Sequence, residues 1–132
     1  MPEISEPSSE GKYKGAKTIL IVEDDPFIGE FFVEAITEEN RHVPLLATSG
    51  FEALEIIKEV TPDLFLLDYH LPHMNGIELY DRLHATKGLE RVPTIMTSAG
   101  VLEHNFQNRH IVGISKPVEL NKLLDLIEEL LA

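Results

Sequence analysis

Cysteine is missing from the 132 residues, which excludes a disulfide framework and thiolate chemistry. No apolar run approaches the ~20 residues that a membrane-spanning helix needs. Met1 to Lys17 has no hydrophobic core of the secretory-signal kind. Basic residues are scarce, 11 Lys and Arg against 23 Asp and Glu, for a formal net charge of −12. That balance argues against direct nucleic-acid binding, which needs a basic face. It suits a partner that presents basic residues, or a cation pocket, although most of these charges read simply as a solvated acidic surface. No internal repeat and no second domain are visible. The expectation is a soluble cytoplasmic chain without membrane insertion.

What is present is a globular composition, 43% apolar, on a chain long enough for one domain with a real core. Residues 1–16 are rich in Glu, Ser, Pro and Gly without periodicity and are expected to form a flexible arm, with the folded domain over 17–132. Five short apolar runs alternate with helical patterns. Thr18–Val22 reads as a first buried strand. Asp25-Pro26 then starts a helix, as N-cap and first helical residue. Phe27, Ile28, Phe31, Phe32, Ala35 and Ile36 share one apolar face of this helix, which should run to about Asn40. Val43–Ala47 is a second strand. Ser49 with Glu52 forms a capping box for a helix that buries Ala53, Leu54, Ile57 and Val60 and stops at Thr61-Pro62. Leu64–Asp68 is the third strand. Asn75 and Glu78 open a helix with Ile77, Leu79, Tyr80 and Leu83 inward. Pro93–Ser98 and Ile111–Ser115 are the last two strands, and 101–109 is weakly patterned, with room for a short helix. Leu120, Leu123, Leu124, Ile127, Leu130 and Leu131 make the stripe of a closing helix. Strictly alternating strands and helices call for an α/β fold with a parallel, doubly wound sheet and helices on both faces.

In such a sheet every strand's carboxyl end reaches one edge, where ligand crevices form. There the first strand delivers Glu23 and Asp24, the third Asp68, the fourth Ser98 and the fifth Lys116. Clustered carboxylates repel unless one takes a proton or a cation sits among them. Mg²⁺, a hard cation that takes carboxylate oxygens, fits that description. A carboxylate also serves as a nucleophile toward phosphorus, and the transferring phosphoryl oxygens then need neutralising by a cation, an ammonium or a hydroxyl.

The run Ile21-Val22-Glu23-Asp24-Asp25, Leu67-Asp68 followed by Pro72 and Gly76, Ser98-Ala99 and Lys116-Pro117 resembles the receiver domain of two-component response regulators, over residues 17–132. Their order and spacing carry the resemblance; any one alone is weak. It implies a flavodoxin-like five-stranded sheet of order 2-1-3-4-5. It implies Asp68 as phosphoacceptor, fed by a histidine kinase or histidine phosphotransfer protein, and a downstream protein partner. Mg²⁺ would be held by Asp24 directly, by Glu23 through water, by Asp68 and by the backbone carbonyl of His70. Ser98 would be the switch hydroxyl and Lys116 the phosphate partner, with a cis Lys116-Pro117 bond. Such a domain is a phosphoacceptor that catalyses its own modification rather than an enzyme acting on a separate substrate.

Two departures stand out. The segment between Ser98 and Lys116 is short, so its helix should be stunted. The position three before the lysine, where the family usually has an aromatic that rotates inward, is Gly113. Both features favour a pseudo-receiver, a binding module never phosphorylated in use; the full set of site residues opposes it. A phosphohydrolase would need a general acid at His70 and a cap domain for which the chain is too short. The spacing of His70 and His73 gives a transition-metal site little support beside Pro72, with no fourth ligand apparent. Asp25 is explained by capping. Thr97 is expected in the sheet rather than in the switch. His42, His84, His104 and His110 are expected at the surface or in loops, and Phe27, Phe31 and Phe32 in helix packing.

Overall fold

The computed structural model describes residues 15–100, 106 and 108–132. Five parallel strands, β1 (Thr18–Val22), β2 (Val43–Ala47), β3 (Leu64–Asp68), β4 (Thr94–Ser98) and β5 (Ile111–Ser115), form one sheet of order β2-β1-β3-β4-β5. The order reverses beside β1, so the crevice falls between β1 and β3. This order and these limits are those expected from the sequence, except that β4 begins at Thr94 rather than Pro93. Helices α1 (Pro26–Ala35) and α4 (Leu120–Leu131) cover one face, and α2 (Gly50–Ile56) and α3 (Gly76–His84) the other.

The central strands are apolar on both faces because both faces are covered. Ile19, Ile21, Leu64, Leu66 and Ile95 meet Phe32, Ile36, Leu123 and Ile127 on the first face. Leu20, Val22, Phe65, Leu67 and Met96 meet Ala53, Leu79, Tyr80 and Leu83 on the second. The outer strands differ: no residue of β2 except Ala47 is fully buried, and in β5 only Ile114 is. An edge strand has a neighbour on one side only, so its runs are apolar without being enclosed.

Caps behave as their residue types dictate. Asp25 accepts from the Phe27 and Ile28 amides, with Pro26 at the first helical position. Ser49 accepts from Glu52, although the Glu52 carboxylate turns instead to the Thr48 amide and hydroxyl. Asn75 and Glu78 form a full reciprocal capping box.

Several expectations needed correction. Helix α1 gives way at Ile36 to a π-helical turn through Asn40, closed by left-handed Arg41. Helix α2 ends at Ile56, short of Thr61-Pro62, as hydrogen bonds tighten to i−3 spacing at Lys58 and Glu59; Leu54, Ile57 and Val60 are only half-buried. Phe27 and Phe31 do not pack inward: they are 86% and 51% exposed, because the inner face of α1 is the one that carries Gly29, Phe32 and Ala35, and Phe27 and Phe31, one turn apart, lie beside it. His42 is buried; its Nδ1 accepts from the Lys17 amide at 3.0 Å, and its Nε2 lies 2.8 Å from Glu128 at an angle short of a hydrogen bond. His84 is half-buried, stacked on Tyr80, with its ring nitrogens 2.8 Å from the Tyr80 and Val92 carbonyl oxygens. These partners are distant in sequence or on the backbone, where spacing gives no hint of them. His110 is exposed as expected. The arm over residues 1–14, His104 and the short helix expected within 101–109 lie outside the described residues, apart from Phe106, Asn108 and Arg109.

Candidate functional site

The first strand ends in two carboxylates with different surroundings. Glu23 is buried, because its amide continues the sheet to the Ala47 carbonyl and its side chain turns under the β1–α1 loop. Its Oε2 accepts from the Asp25 amide at 3.0 Å, while Oε1 is buried without a partner. Asp24, next along, is exposed. On β3, Asp68 is 3% exposed; Oδ1 accepts from the His70 amide at 3.1 Å and Oδ2 from Lys116 Nζ at 3.0 Å. Carboxylate oxygens of Glu23, Asp24 and Asp68 lie within 4.8 Å of one another.

Lys116 reaches Asp68 because its amide extends the β4–β5 ladder to the Ser98 carbonyl at 2.8 Å; its bond to Pro117 is cis. Ser98 is buried at the end of β4, and its Oγ accepts from the Gly100 amide at 3.1 Å. Thr97 is buried one residue earlier, beside Asp68 in register, with its carbonyl bonded to the Tyr69 amide. The His70 side chain is exposed and packs edge-on against Tyr69; His73 is exposed in a left-handed turn. Among the described residues, neither histidine joins the cluster of potential metal ligands.

The electrostatics follow from this packing. Burial pushes the Glu23 carboxyl up from its ordinary 4.5 to about 7. The Asp25 amide opposes the rise, Asp68 adds to it, Lys116 opposes it, and Asp24 adds a little more. A buried carboxylate with an orphan oxygen must be protonated or must meet a cation. Three oxygens at this spacing, one of them unpartnered and all hard donors, fit a divalent cation such as Mg²⁺.

Gly76, one of the residues that carry the resemblance, has a part in the site that the motif alone did not give. A Cβ there would stand 2.9 Å from the Asp68 carbonyl oxygen and 2.9 Å from Tyr69 Cα. Its amide donates to the Tyr69 carbonyl at 2.9 Å, so α3 starts directly against the strand end that carries Asp68. The glycine eight residues past the aspartate was the available signal.

A doubly wound parallel sheet with a buried, lysine-bound aspartate beside two further carboxylates at its switch point defines a class of acidic-pocket α/β signalling domains. The chain belongs to the response regulator receiver domain family of two-component systems, whose pattern it matches over residues 19–128. It is 29% identical to the polar-differentiation response regulator DivK of Brucella ovis over 119 residues, covering 87% of this chain and 96% of DivK. The CheY-like receiver domain protein of Methanospirillum hungatei superposes with a TM-score of 0.77 at 31% identity, over 88% of this chain and 94% of that one. The receiver domain of sensor histidine kinase PA1611 from Pseudomonas aeruginosa, which has a magnesium ion coordinated in its active-site cleft, shares the fold at TM-score 0.74 and 23% identity, over 88% and 98% of the two chains.

Proposed function

We propose that Asp68 accepts a phosphoryl group from the phosphohistidine of a histidine kinase or phosphotransfer protein, and that the acyl phosphate switches binding of a downstream protein. The observation that carries this reading is the Asp68 carboxylate itself. It is 3% exposed, fixed through Oδ1 by the His70 amide and through Oδ2 by Lys116, and set at the open end of the strand. A structural ion pair would not need two further carboxylates within 4.8 Å.

In the reaction an Asp68 oxygen attacks phosphorus, the P–N bond to the donor imidazole breaks, and its electron pair stays on that nitrogen. Asp24, Glu23, Asp68 and the His70 carbonyl would hold Mg²⁺, which supplies positive charge to the phosphoryl oxygens when bound. Lys116 follows the phosphoryl group from its present seat on Oδ2. Ser98 Oγ accepts from Gly100, which leaves its hydroxyl proton for a phosphoryl oxygen. Phe27 and Phe31 are exposed on α1, the helix that Asp25 caps, and offer a protein donor apolar contact. Residues 17–132 carry the whole site, and the chain is the acceptor in a single transfer. We place the reaction in the cytoplasm, where phosphohistidine donors are made.

Intact-mass measurement after incubation with acetyl phosphate tests this. The expected result is one added phosphoryl group that requires both Mg²⁺ and Asp68 and is lost in Asp68→Asn. No adduct, either with acetyl phosphate or with a phosphorylated histidine donor, would leave a binding module in its place.

A further inference from the structure

Strand β2 is an edge of the sheet, and its outer side is closed to a further strand. The Val43 amide donates to the Lys17 carbonyl at 2.8 Å, and the Ala47 carbonyl accepts from the Glu23 amide at 3.0 Å, so both residues turn their backbone toward β1. Alternation then turns residues 44, 46 and 48 outward. Pro44 has no amide hydrogen, and the Thr48 amide is taken by Glu52 Oε1 at 2.7 Å. An added strand would therefore find the Leu46 amide alone, too little for a ladder.

Side-chain contact remains. An open groove of about 530 Å³ lies between β2 and α2. Leu45, Leu46, Ile56 and Val60 are its apolar lining, and all four are half-buried. Glu52, Glu55 and Glu59 follow it at spacings of three and four residues, all exposed. Among the described residues that line the groove, none is a cation. Lys58 meets Glu55 at 3.0 Å, but both side chains are well exposed and such a pair contributes little, so a cation from a partner can replace it. An apolar strip with carboxylates repeating along it is the complement of a helix with aliphatic residues on one face and Lys or Arg beside them. An acidic helix would be repelled, and a neutral one would cover the carboxylates without pairing them.

We propose that the groove between β2 and α2 is a docking site for a basic amphipathic helix of a partner protein. Its aliphatic side chains rest on Leu45, Ile56 and Val60, and its cations meet Glu55 and Glu59. This surface is separate from Asp68 and does not depend on the phosphoacceptor reading.

The probe is a labelled peptide of about 18 Leu and Lys residues, long enough to form a helix, with its Leu residues on one face. It is titrated with the full chain in Mg²⁺ without a phosphoryl donor, and backbone amide NMR maps the contact. The expected result is a saturable one-to-one complex with shifts centred on residues 45–46 and 52–60. Glu55→Lys/Glu59→Lys should weaken it by about 10-fold. Glu30→Lys/Glu34→Lys makes the same charge change at exposed positions one turn apart on α1 and should stay within about threefold of wild type. Val60→Ser, or Ser in place of Leu in the peptide, should also weaken binding by about fivefold or more. Equal losses in the two charge variants, or equal binding of the Ser peptide, would reduce the effect to attraction by an acidic surface and overturn the proposal. So would shifts centred on α1 or on the carboxyl ends of the strands, or no saturable binding.

Discussion

The two ends of the sheet treat their polar groups differently. At the amino end, partners come from within the chain. Asp63 accepts from the Thr18 amide at 2.8 Å, His42 from the Lys17 amide, and Arg109 forms a two-point pair with Asp81. At the carboxyl end, Glu23 keeps an orphan oxygen, Asp24 faces solvent and Lys116 pairs with Asp68 beside them. Stability explains the first end. The second lowers stability, as the proposed site for a cation and a phosphoryl group would require.

The difference can be broken most severely at Lys116. Lys116→Met removes the charge that meets Asp68 Oδ2, and the rate of adduct formation from acetyl phosphate should fall by about 100-fold. A rate within twofold of wild type by timed intact mass would remove Lys116 from the chemistry.

Glu23 gives the next largest effect. Its folded-state value, about 7, lies above its ordinary 4.5. Between those values the folded state holds a proton that the unfolded state has lost, so stability without metal falls as pH rises through this window. Glu23→Gln should remove that slope and raise the Tm at pH 8 by roughly 5 °C in chelator. A melting curve series from pH 5 to 8 checks it; an unchanged slope would show that Glu23 is not the group responsible.

At the amino end the effects belong to stability alone. His42→Ala strips a buried ring from the Lys17 amide and should cost about 2 kcal/mol in urea unfolding, while adduct formation stays at the wild-type rate. Asp81→Asn should cost only about 0.5 kcal/mol, since the pair with Arg109 is half-exposed. The Arg109 hydrogen bond holds the Asp81 carboxyl below its ordinary 3.8. That small stabilisation is therefore present above 3.8 and lost as pH falls through the lower folded value. Unfolding curves from pH 7 down to pH 2 should show the variant's deficit full at pH 7 and shrinking below 3.8.

Much of this was legible in the residues. Continuous apolar runs ending in Glu23, Asp68, Ser98 and Lys116 gave both the parallel sheet and the edge on which its chemistry gathers. Caps at Asp25, Ser49 and Asn75 marked where α1, α2 and α3 begin. Long-range pairing was invisible: nothing near His42 signals Lys17 or Glu128. Exposure on α1 was equally hidden, since Phe27, Phe31 and Phe32 all fit one broad apolar stripe, and only the helix's orientation, with Gly29, Phe32 and Ala35 inward, leaves Phe27 and Phe31 in solvent.

The most direct measurement is a calorimetric Mg²⁺ titration of the unphosphorylated chain at pH 8 and at pH 6. The expected result is a single site that binds about 10-fold more weakly at pH 6, where Glu23 must first release its proton, and that disappears when Asp24 and Asp68 are both replaced by Asn. Absence of binding at pH 8, or binding that survives the double replacement, would contradict the view that this end of the sheet is built around a cation.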